Sequence, residues 1–433
     1  MMNTLETMPS VEFGPLQESA HITSGIDFYK PTMSQVAFEQ EPDAEVTFTF
    51  HNRGEQRIAD YVDAEQLQAK LDWRREFGFD QSELDYFAGL KLADGRPTFS
   101  DAFIDYLSLN QLPKVEVSYD PEIDDLAIET TGPWSMVTFW ETVVMSEVNE
   151  AYFEGYIRQN NIDVFELYDE GERRLQAKID ILKEHPDIKF SDFGTRRHFS
   201  LRWHKYVTER LVAECPDNFL GTSNIEIANR LNVKPIGTFA HEMFMTFAGL
   251  ADARGEDVRA SHGKLLDIWY DTYGEDLAIA LTDTFGSDFF LSDFTPEQAT
   301  KWRSLRHDSG DPYDFAEKVI GFYGDLDIDP LTKTIVFSDG LDIEAIVALN
   351  EKFKGRINIV FGWGTTLTND LGVDPLNIVM KPTHGLDTIT GEQADFVKLS
   401  DNKGKHLGAE ELITRYQNIF RVLDLERHYY EKV

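Results

Sequence analysis

From residue 188 onward the chain repeats one local grammar: a short apolar run, a loop of Gly, Ser, Thr or Asp, then a helix-patterned stretch. Ile188-Lys-Phe190 runs into Ser191-Asp-Phe-Gly-Thr-Arg-Arg197, and Asn218-Phe-Leu220 into Gly221-Thr-Ser-Asn224. The run from Val233 to Ile236 leads to Gly237-Thr-Phe-Ala-His-Glu242, and Leu277 to Leu281 leads to Thr282-Asp-Thr284. Ser304-Leu305 precedes Arg306-His-Asp-Ser-Gly-Asp311, Thr334 to Phe337 precedes Ser338-Asp-Gly340, and Ile357 to Phe361 precedes Gly362-Trp-Gly-Thr-Thr366. Strands that alternate with helices predict a parallel sheet. So many consecutive units predict an irregular β/α barrel, in which groups at the C-terminal ends of the strands converge on one site. The units share no fixed residue period, which excludes a solenoid.

The chain before this region has a different style. Residues 1–20 read as a flexible arm, and 21–138 as a smaller α+β N-terminal domain. Val46-Thr-Phe-Thr-Phe50 alternates as a strand does, and Val115 to Tyr119 and Leu126 to Thr131 pair across a turn at Pro121. Long helical patterns run from Trp140 to Gln159 and from Gly171 to Glu184. The catalytic barrel is placed at 139–394, and residues from about 395 to 433 are expected to rejoin the N-terminal domain. Asn377 to Met380 and Phe396 to Leu399 read as further strands ahead of a helical end.

Composition narrows the function. With 41 Lys+Arg against 77 Asp+Glu, a net charge of −36 repels nucleic acid and anionic membranes. An anionic substrate therefore requires cations gathered locally. No apolar run approaches the ~18 residues of a membrane span, and the first residues lack a basic, then apolar, leader. The single cysteine, Cys215, reads as a buried small residue in a reducing compartment, so a cytoplasmic protein is expected.

The loops pool Thr195, Arg196, Arg197, Thr222, Ser223, Thr238, His241, Asp283, Arg306, Asp308, Asp339, Gly362, Gly364 and Thr365. Gly-Trp-Gly-Thr-Thr suits an anion cradle, since glycines admit close approach of backbone N–H groups; a tight turn is the alternative. Arg196 and Arg306 suit bidentate contacts to phosphate or carboxylate, or ion pairs with the abundant acids. Asp308 and Asp339 suit ribose hydroxyls or Mg²⁺. Asp311 and Asp342 read as helix caps, and Ser223 with Glu226 as a capping box. A metal-dependent hydrolase barrel, with His241, Asp283 and His307 as ligands, is the competing reading; it leaves the arginines and glycines unexplained.

Asp-Phe-Gly-Thr-Arg-Arg (192–197), Gly-Thr-Ser-Asn (221–224), Gly-Thr-x-Ala-His-Glu (237–242) and Leu-Arg-His-Asp-Ser-Gly-Asp (305–311) occur in one order along the chain. Val-Phe-Ser-Asp (336–339), Phe-Gly-x-Gly-Thr (361–365), Pro-Leu-Asn-Ile-Val (375–379) and Lys-Leu-Ser-Asp (398–401) continue it, with Asp27-Phe-Tyr-Lys30 near the start. This set resembles the nicotinate phosphoribosyltransferase family.

The resemblance implies transfer of phosphoribosyl from phosphoribosyl pyrophosphate to nicotinate, giving nicotinate mononucleotide and pyrophosphate. ATP hydrolysis is coupled to the step and Mg²⁺ is a cofactor. It implies a homodimer with shared sites, with Tyr29 reaching the pyridine ring from the partner subunit. His241 takes the position of the transiently phosphorylated histidine, and Asp283 that of the carboxylate orienting it. Tyr29, Phe193, Ser223, Thr238 and Arg306 fall at nicotinate. Arg196, Asp308, Asp339, Gly340, Gly362, Gly364 and Thr365 fall at the phosphoribosyl and phosphate groups. Relatives acting on nicotinamide carry an acid where Ser223 stands, so Ser223 favours the carboxylate substrate. Trp363 is a departure that either narrows the phosphate loop or points into the core. Glu242 is left to a structural salt bridge.

Overall fold

The computed structural model describes residues 21–422, so the arm expected at 1–20 lies outside the described residues. Three strands come first: β1 (Ala44–Asn52), β2 (Val115–Asp120) and β3 (Asp125–Pro133). Six follow: β4 (Phe190–Asp192), β5 (Phe219–Thr222), β6 (Ile279–Leu281), β7 (Ser304–His307), β8 (Thr334–Phe337) and β9 (Asn358–Trp363). The last two are β10 (Ile378–Asp387) and β11 (Glu392–Asp395).

The six middle strands form one sheet in the order β5-β4-β9-β8-β7-β6, parallel at every pairing. The other five form an antiparallel sheet in the order β11-β10-β1-β3-β2. This is the mixed α/β architecture that the strand–helix grammar predicts. Alternation in β1 buries Val46, Phe48 and Phe50, and β2 pairs with β3 as expected, Tyr119 lying opposite Leu126. The chain rejoins the N-terminal sheet at Ile378, earlier than the return near residue 395 expected from sequence, because β10 pairs with β1 along its whole length. Phe396 to Leu399 is not a strand; Lys398 makes only an isolated bridge to Leu407.

The barrel is irregular where the 233–238 segment passes between β5 and β6. Pro235 bridges Thr222 in parallel, and the Ile236 N–H donates to the Thr222 carbonyl at 2.9 Å. On the other side no backbone ladder forms; the Thr238 hydroxyl instead meets the Leu277 and Ile279 carbonyls at 3.2 and 3.0 Å. Proline removes one N–H from this stave. A Cβ at Gly237 would come within 2.7 Å of the Tyr29 backbone nitrogen, so only glycine lets the N-terminal segment pass so near the barrel.

The Trp140–Asn160 helix is buried on all sides over its first half, as befits an element packed between β10 and the Thr195–Arg197 turn that follows β4. The next helix begins at Val164, capped by Asp163, rather than at Gly171. Gly171 is an interior position, where a Cβ would meet Leu371 and Trp203 at 2.9 Å, so its packing mimics a start signal. Asn224, not Ser223, caps the Ile225–Leu231 helix, through the Ile227 N–H. Asp311 and Asp342 are caps as expected, and Cys215 is buried. Among the described residues no helix is long and apolar enough to cross a membrane.

Candidate active site

His241 opens the His241–Ala253 helix directly after the irregular stave, which carries its ring to the C-terminal mouth of the barrel. Its Nδ1 lies 3.0 Å from the Thr284 hydroxyl. Its Nε2 faces two opposite charges: Asp308 Oδ2 at 2.9 Å and Lys398 Nζ at 3.0 Å. Burial and the neighbouring ammonium push the imidazole down from 6.5 to about 4, so it is neutral near pH 7. Burial pushes Lys398 below its usual value as well.

Asp283, expected as the direct partner of His241, stands at 3.8 Å from Nε2, and Asp308, expected at the ribose, occupies the hydrogen-bonding position. The difference follows from the loops. The Asp283 carboxylate is drawn toward the Ser309 and Ser400 hydroxyls, which reach Oδ2 at 2.5 and 3.3 Å. Its Oδ1 is buried with no hydrogen-bond partner among the described residues, and is turned toward the imidazole. Burial would raise both carboxyls; His241 and Lys398 hold Asp283 below its usual value, and Arg306 and His241 hold Asp308 well below.

Arg306, on β7, donates to the Ser338 hydroxyl at 3.0 Å, the Phe239 carbonyl at 3.2 Å and Asp308 Oδ1 at 3.2 Å. Asp339 follows β8 and pairs with Lys405 at 2.7 Å, and Lys405 also reaches the Asp308 carbonyl at 3.2 Å. Gly340 turns the chain outward at a positive φ. Gly362 closes β9 against the Phe193 ring, where a Cβ would sit 3.3 Å from both that ring and Ser338. Gly364 and Thr365 follow, and Thr365 starts a single turn of helix. Trp363 points into the core, its indole N–H donating to the Thr366 hydroxyl at 2.6 Å, so it does not narrow the mouth.

A second group lies on the N-terminal side of the mouth. Arg196 stacks over the Tyr29 ring at 5.5 Å and approaches Asp27 at 3.3 Å. Within one chain Tyr29 lies beside Arg196, next to the bridge by which Asp27 meets Asn224. The Tyr29 hydroxyl is buried and has no hydrogen-bond partner among the described residues. Ser223 donates to Asp27 at 2.5 Å, and burial raises the Asp27 carboxyl despite Arg196. Thr238, expected at nicotinate, is engaged by the barrel staves. Thr195 is buried against Asn224, and Arg197 turns toward the Ile378 carbonyl at 3.2 Å.

Behind this group lies a buried ionic knot. Lys30 contacts Glu141 at 2.5 Å and Glu242 at 2.6 Å, Lys381 contacts Glu141 at 2.6 Å, and the Trp134 indole donates to Glu242 at 2.7 Å. Glu242 is therefore the structural salt-bridge residue expected. Burial lowers Lys381 to about 8.

Lys398, Thr284, Ser338 and Lys405 went unassigned by sequence reasoning. A lysine inside the apolar run Phe396-Val-Lys-Leu399 was the available signal, since a charged residue there demands a buried partner. His241, Asp283 and Asp308 are close enough to share a cation, their ligand atoms all lying within 4.8 Å of one another. The Lys398 ammonium already stands beside that set. His307 is not part of it: its ring packs between Phe315 and Phe337. The metal-hydrolase reading thus loses one of its ligands.

Fold and site define a β/α barrel that gathers cations, carboxylates and one buried imidazole at its strand ends. Two family patterns cover the chain: the nicotinate phosphoribosyltransferase (NAPRTase) N-terminal domain over residues 25–149 and the NAPRTase family over 188–423. A nicotinate phosphoribosyltransferase of Chromobacterium violaceum is 39% identical over 406 residues, covering 92% of this chain and 96% of its own. That of Neisseria gonorrhoeae is 40% identical over 396 residues, covering 89% and 93%. The crystal structure of the Porphyromonas gingivalis nicotinate phosphoribosyltransferase superposes with a TM-score of 0.83 at 30% identity, covering 93% of this chain and all of that one. That of Vibrio cholerae gives 0.80 at 30% identity, covering 95% and 97%. The chain belongs to the nicotinate phosphoribosyltransferase family.

Proposed function

We propose that the protein joins nicotinate to the phosphoribosyl group of phosphoribosyl pyrophosphate and couples this to ATP hydrolysis through a phosphohistidine at His241. The observation that carries the reading is the neutral, buried imidazole held between Asp308 and Lys398. A neutral ring keeps a lone pair for attack on the γ-phosphorus of ATP. That P–N bond forms as the P–O bond to ADP breaks, and water later releases the phosphoryl group as phosphate. Lys398 is placed to offset the added negative charge, and Asp308 and Asp283 to stabilise the imidazolium.

In the transfer itself the pyridine nitrogen attacks C1′ of the ribose as the C1′–O bond to pyrophosphate breaks. Arg196 and Arg306 supply the cations for nicotinate and phosphate in a strongly acidic protein, and Tyr29 and Phe193 the ring faces. Mg²⁺ supplies neutralisation of the diphosphate. Asp308 and Asp339, the carboxylates at the rim, are already paired with Arg306 and Lys405, so the ion fits as part of the substrate rather than as a resident of the site. We further infer a cytoplasmic homodimer with shared active sites, as the family resemblance implies.

The test is mononucleotide formation from nicotinate and phosphoribosyl pyrophosphate by the purified protein, with and without ATP. Product that rises with ATP, alongside ADP, is expected. No mononucleotide under either condition overturns the transferase reading; product unaffected by ATP overturns the coupling alone.

A further inference from the structure

A buried polar chain lies behind the Phe193–Arg196 loop, and the transfer mechanism makes no use of it. Asp192 ends β4, fully buried, and its two carboxylate oxygens serve two different loops. Oδ1 accepts the Gly194 backbone N–H at 2.8 Å, inside the Phe193-Gly-Thr-Arg196 loop. Oδ2 accepts the Thr222 hydroxyl at 2.5 Å, at the turn that carries Ser223. The remaining contact on Oδ2 is His204 Nε2 at 2.5 Å, from the Leu201–Glu214 helix. A carboxylate has no proton to give, so the imidazole is the donor. Nδ1 of His204 faces Nδ1 of His198 at 3.3 Å, and His198 Nε2 faces the Ser146 hydroxyl at 3.1 Å on the central helix. Each ring is thus pinned at both nitrogens, and all of these residues are buried.

We propose that His204 is a positioning residue for nicotinate: by holding Asp192 it sets the distance between the Phe193–Arg196 loop and the Thr222–Ser223 turn. The inference rests on the pyridine subsite proposed above, and it adds a residue that touches neither substrate nor His241. A buried carboxylate that loses its imidazole partner turns toward whatever donors remain, and here those donors are the backbone and hydroxyl of the two loops. Loop displacement then falls on the groups that grip the pyridine acid and spares the imidazole at the other side of the mouth.

The experiment compares the wild-type enzyme with His204→Ala, His204→Gln and Asp192→Asn in steady-state turnover, varying nicotinate and phosphoribosyl pyrophosphate separately. His204→Ala is expected to raise KM for nicotinate by about tenfold or more, with kcat little changed and a several-fold smaller rise in the KM for phosphoribosyl pyrophosphate, which meets the displaced loop at Arg196 alone. His204→Gln, whose amide places an N–H near the former Nε2, is expected to recover most of that loss; a merely structural role predicts no such split and no such rescue. An unchanged nicotinate KM in His204→Ala, or equal losses in kcat and both KM values, overturns the proposal. A wild type that makes no mononucleotide counts against the transferase reading instead. The dyad is then read by NMR of ¹⁵N-labelled protein, where a strongly downfield His204 ring N–H lost in Asp192→Asn is expected, and its absence from the wild type overturns the proposal.

Discussion

Two buried clusters of charge lie on either side of the barrel mouth, and they are built to opposite rules. Around Lys30 the charges balance: two lysines meet two glutamates, and each glutamate oxygen lies within 2.7 Å of a cation or an indole N–H, Glu141 Oε2 as an ion pair without hydrogen-bond geometry. Around His241 the matching is incomplete. One imidazole nitrogen is contested by a carboxylate and an ammonium, and an oxygen of Asp283 has no hydrogen-bond partner among the described residues. A closed network rigidifies, and an open one retains unused bonding capacity that an incoming group can take up. The contrast separates residues that tie three helices and β10 together from the cluster proposed for chemistry, although both sets are acidic, basic and buried.

The largest effect is expected where the closed network is broken. Lys30→Met leaves Glu141 and Glu242 buried without their shared cation, and should cost about 3–5 kcal/mol of stability, read as a lowered midpoint of urea unfolding. A midpoint equal to that of the wild type would mean the knot is not structural. Lys398→Met tests the open cluster. It removes the ammonium that, after burial, does most to depress the His241 imidazole, so that group should rise from about 4 toward the ordinary 6.5. The sign follows directly: the nucleophilic form is lost as pH falls through the imidazole value, so the acid limb of ATP-dependent turnover moves to higher pH. NMR titration of the His241 ring checks the shift without turnover. The smallest effect is expected at Thr238→Val, which removes two hydroxyl contacts to the β6 side and should cost about 1 kcal/mol, with the nicotinate KM unchanged. A raised KM would return Thr238 to the substrate.

Much of the fold was legible because its signals are local. Short apolar runs ending in Gly, Ser, Thr and Asp are what parallel strands with functional C-terminal ends look like, and β4 to β9 fall where those runs lie. The irregular stave was legible as an apolar run but not as a break in the ladder, since its neighbours, Thr222 and Ile279, are distant in sequence. The return of β10 to β1 depends on long-range pairing that the Ile378-Val-Met380 pattern does not encode. At the site, His241 was marked by its place after a strand, but the choice between Asp283 and Asp308 turns on which carboxylate Ser309 and Ser400 draw away. Lys398 lay in a quoted motif yet carried no role, because its partner is 157 positions earlier in the chain. The exchange of Ser223 from helix cap to Asp27 partner has the same origin: the acceptor belongs to the other domain.

The central claim is that the open cluster exists to receive a phosphoryl group. The direct measurement is incubation of the purified protein with γ-³²P-labelled ATP, followed by mapping of acid-labile, alkali-stable label. The account predicts label on the peptide containing His241 and none in His241→Asn, which should also lose ATP-dependent enhancement. Absence of label in an enzyme whose turnover is raised by ATP, or label undiminished in His241→Asn, would contradict it.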